Sequence, residues 1–183
     1  MSTIINADTS DGLKFTSDTS GEIKLQSAGA DIATVGSTGI TMASGKGLAA
    51  TGHVLQVVNA KTTTQTTSNS TSYADTALTA SITPTSSSSK ILIIANFILY
   101  PANAGGGHAV VGLNRGGTLI YDRAGYNSVG SSQITSAFNY LDTPSTTSAT
   151  TYTCRLKSSV SGQLVAFGLT GYNNVITLME IAG

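Results

Sequence analysis

Nowhere along the chain do apolar side chains keep the three-and-four spacing of a helix for as long as three turns, whereas apolar residues two apart recur throughout. A period of two belongs to a strand with one buried face, so the sequence predicts an all-β protein. Composition points the same way. Only 10% of the 183 residues are charged, against roughly 25% in an ordinary soluble domain. Ser and Thr exceed a quarter of the chain, beside 20 Gly and no Trp. Polarity is carried by hydroxyls, which suits strands with a solvated outer face, where Thr packs well, and not surface helices built on Lys and Glu.

Low charge also narrows the partners. The 9 Lys and Arg balance 9 Asp and Glu, and no basic cluster stands ready to displace counterions from phosphate, so nucleic acid is excluded. The longest apolar run, Ile91 to Tyr100, contains Ala95 and Asn96 and is about half the ~20 residues of a spanning helix. Met1 to Asp11 has neither a basic nor an apolar leader region, so neither a signal peptide nor membrane insertion is expected. Cys154 is the single cysteine. It forms no internal disulfide, fits production in a reducing cytoplasm, and reads as a small buried hydrophobe on a strand.

The pattern changes near His53, dividing an N-terminal β stem, 1–52, from a head or knob, 53–183. Short strands in the stem each carry a thin apolar edge: Leu13 with Phe15, Ile23 with Leu25, Ile32, Ile40 with Met42, and Leu48. Their spacing of about eight to ten residues is that of a degenerate repeat. So little apolar material cannot offset the chain entropy of some fifty residues. The missing core is expected to come from copies of the same chain, as an intertwined stem of a homotrimer.

In the head, strands are expected near 54–59, 72–83, 90–100, 108–115, 118–123, 133–141, 150–157, 163–169 and 175–181, divided by Gly, Pro, Ser and Asn clusters. That spacing predicts an antiparallel β-sandwich of jelly-roll type. The Thr- and Ser-rich block from Lys61 to Ser72 fits either an outer strand or a loop.

Ser10-Asp11-Gly12-Leu13, Thr16 to Gly21 and Leu25-Gln26-Ser27 resemble the start of tail-fibre and related appendage proteins of tailed bacteriophages. Ser72 to Thr76, Ser81 to Pro84, Ser88 to Ile93 and Ile176 to Ile181 are similar to the β-sandwich knobs of the same group. The resemblance implies a trimeric appendage of the virion, its N-terminal segment bound to other virion proteins and its knob outward. A tail fibre or fibre tip contributing to host attachment is the leading expectation. A trimeric capsid decoration or cement protein is the alternative, since related domains serve there too. A polysaccharide depolymerase is disfavoured: the acids are scattered, and a glycosidase needs a carboxylate pair in a groove.

No enzyme signature intervenes. Ala43 to Gly47 lacks the spaced first glycine of a phosphate loop, Gly125 to Gly130 has the wrong spacing for a nucleophile elbow, and Ser87 to Lys90 lies in a serine run. Catalytic residues and cofactors are therefore not expected. His53 and His108 are the only histidines, and His53 is the weak metal candidate, one ligand per chain on a threefold axis. Glu180 shares a strand face with Ile176 and Leu178; if that face is inward its carboxylate needs a cationic partner, and a buried or interface ion pair with Arg115, Arg123 or Arg155 is expected. Receptor contacts, to a host glycan or protein, are sought where aromatics sit beside amides: Tyr100 with Asn103, Tyr126 with Asn127, and Tyr172 with Asn173 and Asn174.

Overall fold

A computed structural model describes residues 21–44, 47, 50–101, 107–123 and 133–183. Leu13, Phe15, Leu48, Asn103, Tyr126 and Asn127 lie outside the described residues. The chain divides into two compact units, Met1–Ala49 and Ala50–Gly183. Among the described residues all regular structure is strand, paired antiparallel throughout.

In the first unit, β1 (Ile23–Ser27), β2 (Ala30–Gly36) and β3 (Gly39–Met42) form a meander. Ala28 and Gly29 both take positive φ, 50° and 78°, the twist that a two-residue hairpin needs. Register sets Ile23 opposite Val35, Leu25 opposite Ala33, and these in turn opposite Ile40 and Met42. All six therefore share one face. Lys24, Thr34 and Thr41 share the other, where Lys24 lies 3.4 Å from Asp31 and Gln26 donates to Asp31 at 2.6 Å.

The second unit holds β4 (Val54–Thr62), β5 (Thr66–Ser68), β6 (Ala74–Ile82), β7 (Lys90–Pro101), β8 (Ala109–Arg115), β9 (Thr118–Arg123), β10 (Ile134–Asp142), β11 (Thr150–Ser158), β12 (Val165–Phe167) and β13 (Asn174–Ile181). Strands β6, β11, β8 and β9 make one sheet in that order. In the other, β7 pairs with β10 on one side and with β13 and then β12 on the other, and these pair outward with β4 and β5. Most connections cross between the sheets, a winding of the jelly-roll kind. The Thr-rich block is the end of β4 and then β5, at a sheet edge. Residues 52 and 53 belong with this unit: Gly52 donates to the carbonyl of Ala182, and Ala182 donates to that of His53, both at 2.8 Å.

The inner faces meet in a single hydrophobic cluster. Strand β6 alternates strictly, burying Thr76, Leu78, Ala80 and Ile82, and β11 answers with Tyr152, Cys154 and Leu156. Phe97 stacks on Phe167 at 4.7 Å and lies 5.9 Å from Phe138, which continues to Tyr121 and Tyr140. Cys154 is fully buried, and burial pushes its thiol up to about 12. Outward, the β6–β11 ladder is laced by hydroxyls, Thr79 with Thr153 at 2.9 Å and Ser81 with Thr151 at 2.7 Å.

Candidate functional site

Glu180 lies on the buried parity of β13 and is 0% exposed. Among the described residues no salt bridge to Glu180 forms, which corrects the expected pairing with Arg115 or Arg155; the Arg123 side chain lies outside those described. Its Oε1 accepts from the Thr85 backbone N–H at 2.7 Å and the Thr85 hydroxyl at 2.8 Å, and its Oε2 accepts from Gln56 Nε2 at 2.6 Å. Burial works to raise the pKa, yet these donors outweigh it and hold the carboxyl below its ordinary value. Arg115 and Arg155 are engaged elsewhere. Arg115 binds both oxygens of Asp142 at 2.8 and 2.9 Å, and Arg155 lies 2.7 Å from Asp75.

Asp142 is 5% exposed and also accepts the Tyr152 hydroxyl at 2.7 Å. This triad, with Asp142 and Tyr152 buried and Arg115 half-buried, joins the two sheets through β10, β8 and β11. Burial first, then the bond to Asp142, raises the Tyr152 phenol far above the usual range. On the outer face of the smaller sheet a second cluster forms. The Tyr73 hydroxyl donates to Asp122, Lys157 Nζ lies 3.6 Å from Asp122 and 4.3 Å from the centre of the Tyr73 ring. Gly112 makes room for that ring, since a Cβ there would stand 3.0 Å from it and 2.7 Å from Leu119. Both clusters tie strands together. Neither was read from the sequence, although Asp142 shares strand parity with Phe138 and Tyr140.

The receptor residues separate. Tyr172 is 59% exposed and Asn173 is exposed beside it, in the turn before β13. Tyr100 is half-buried on the outward parity of β7, opposite Ala166. Asn174 is 0% exposed, which corrects its assignment to receptor binding. It accepts from Ile98 N–H at 3.0 Å and donates to the carbonyls of Thr62 and Tyr172 at 3.2 and 3.3 Å, pinning three segments. Gly168 leaves it space, for a Cβ there would stand 2.8 Å from Asn174 Nδ2. His53 is exposed. His108 Nδ1 lies 3.0 Å from the Ser159 hydroxyl, which also accepts the His108 N–H, a bracket across the end of β8 and β11. Among the described residues no three His, Cys, Asp or Glu side chains gather as a metal site.

Of the stem residues, Leu25 and Ile40 are 52% and 69% exposed, and Ile23, Ile32 and Met42 are half-buried. Ile32 stands at the register shift between β1 and β2, where Leu25 pairs with Ala33 and Gln26 with Asp31.

No known family model matches this sequence, and no curated protein matches it. Among solved structures, dimeric latent PorU from Porphyromonas gingivalis is similar at a TM-score of 0.35 with 12% identity, over 74% of this chain and 14% of that one. The infectious bursal disease virus Gx strain structure is similar at a TM-score of 0.38 with 14% identity, over 88% of this chain and 43% of that one. The chain thus spans less than half the length of either. At these scores neither similarity speaks to function.

Proposed function

We propose that this protein is a non-enzymatic structural component of a bacteriophage particle, a trimeric tail fibre or fibre tip that contributes to host attachment. The observation that carries the reading is the amphipathic three-stranded sheet of the first unit. Ile23, Leu25, Ala33, Val35, Ile40 and Met42 share a face on which Leu25 and Ile40 remain largely exposed. A single layer of this kind is unstable until that face is covered. Three copies facing one another about an axis would cover it and make assembly a condition of folding. The likeness of the opening and knob segments to phage appendage proteins supplies the setting. Attachment then falls to the knob, where Tyr172 and Asn173 offer an exposed ring beside an amide, suited to stacking on a sugar and bonding its hydroxyls.

The test has two parts. Sedimentation of the full chain should give a trimer, and an antibody to the protein should decorate the tails of the virions that carry it. A monomer would remove the stem reading, and label confined to the capsid shell would remove the fibre. If the trimer binds host cells, Tyr172→Ala should weaken that binding, with avidity making the loss steep.

A further inference from the structure

The second unit receives the chain at one end and carries a cleft at the other. At the first end, Gly52 and His53 bond to Ala182 just after β13. At the other, β13 starts at Asn174, β11 stops at Ser158 and β9 stops at Arg123. Here a cleft of about 370 Å³ is lined by Thr71, Val110, Asp122, Lys157, Ser158 and Ser159, within the roughly 300–1,000 Å³ of small-molecule sites. Its origin is the register of the smaller sheet. Arg123, the last residue of β9, stands opposite Val111, so this edge strand ends one residue short of Val110. Buried Val110 forms the floor, with Lys157 opposite it on β11. Two turns close one side, for the Ser158 N–H donates to the Ser70 carbonyl and the Gly162 N–H to that of Asn69, both at 2.8 Å.

The polar groups of this cleft are fixed by the protein itself. The Tyr73 hydroxyl donates to Asp122 Oδ1, and Gly112 makes room for the ring that carries it. Lys157 Nζ lies 4.3 Å from the centre of that ring and 3.6 Å from Asp122 Oδ2, longer than a hydrogen bond. A carboxylate has about four acceptor positions, and Tyr73 fills one. The half-exposed Asp122 thus stands beside an ammonium whose three donors make no hydrogen bond among the described residues. An acceptor and a donor side by side match neighbouring hydroxyls of a sugar ring, one donating to Asp122 and the next accepting from Lys157. Charge points the same way. Lys157 and Arg155 are balanced by Asp122 and Asp75, so neither a phosphate nor an ammonium group gains a net attraction. We propose that the cleft holds one ring of a neutral saccharide, its C–H face on Val110 and two adjacent hydroxyls on Asp122 and Lys157. The proposal rests on the attachment reading for the source of the sugar, a host surface glycan, and names a site other than the Tyr172–Asn173 turn.

Amide NMR spectra of the full chain, titrated in turn with galactose, glucose, mannose and N-acetylglucosamine, test it. At least one of these should shift Thr71, Val110, Asp122, Ser158 and Ser159 saturably in the millimolar range, as befits a single small ligand. Lys157→Met, which keeps a stem across the Tyr73 ring and loses the ammonium, should weaken that sugar about tenfold. Asp122→Asn, which keeps an oxygen for Tyr73, should weaken it comparably, and circular dichroism should show both variants folded. Inorganic phosphate should leave these amides unmoved. Shifts from phosphate alone, shifts confined to Tyr172 and Asn173, an affinity unchanged in both variants, or no shift from any of the four sugars would overturn the proposal. Host-cell binding separates it from the reading beneath it. A trimer that binds cells while no sugar reaches the cleft removes the cleft and keeps attachment. Sugar in the cleft of a trimer that binds no cells does the reverse.

Discussion

Gln56 and Glu180 stand opposite each other in the β4–β13 ladder, and the amide nitrogen of Gln56 donates both to Glu180 Oε2 at 2.6 Å and to the Thr83 carbonyl at 2.7 Å. Donating twice, the amide cannot turn over without setting its oxygen against the Thr83 carbonyl. The buried carboxylate is thus met by a fixed donor.

Glu180→Gln places an amide where a carboxylate accepted three bonds. One orientation opposes the Gln56 nitrogen, the other the Thr85 N–H. Urea unfolding should show a loss of about 1–3 kcal/mol, and a loss under about 0.5 kcal/mol would refute the role.

The same residue sets an acid limb. Its folded pKa lies below its ordinary 4.5, so its contribution is complete above that value and disappears as pH falls through the folded pKa. Melting temperature measured downward from pH 6 should decline below about 4.5, and the decline should be shallower in Glu180→Gln.

Asp142→Asn should be as costly as any single polar change in the second unit. It removes the charge that Arg115 and Tyr152 both address, a loss of about 2–3 kcal/mol. Tyr152→Phe, which removes only one of the bonds, should cost less. A reversed order in denaturant titration would contradict the geometry.

Gly168→Ala meets two obstacles, a φ of +74° and contacts at 2.8 Å to Asn174 Nδ2 and 3.1 Å to the Thr64 carbonyl. Destabilisation above about 1 kcal/mol is expected by thermal unfolding. The double variant with Asn174→Ala should recover little, because the backbone strain remains.

Cys154 should ignore a thiol reagent in the folded protein and react fully in denaturant. Its thiol is buried and its pKa is pushed up to about 12. Fast labelling of the native chain would show that β11 is not packed as described.

Strand existence was legible because alternation is local: β6, β11 and β13 each declare a buried parity in their own residues. Alternation sets Glu180 on the face of Ile176 and Leu178, and that face is the buried one. The partner of Glu180 was not legible, since strand order decides it, and Gln56 lies 124 positions away. The choice of arginine followed charge alone, whereas Arg115 had a nearer carboxylate in Asp142. Asn174 had the composition of an exposed turn. Yet it shares parity with Ile176, Leu178 and Glu180, and that signal would have placed it inside. Which loops present residues to solvent depends on how neighbouring strands end, which no single segment records.

The hydroxyl pairs of the β6–β11 ladder have a consequence for the medium this protein tolerates. Thr79 with Thr153 and Ser81 with Thr151 couple the two strands through neutral dipoles, which dissolved ions do not screen as they screen the Arg155–Asp75 pair further along the same ladder. The hydroxyl end of the ladder should keep its hydration and its packing from dilute buffer to brine, while the Arg155–Asp75 end is progressively uncoupled.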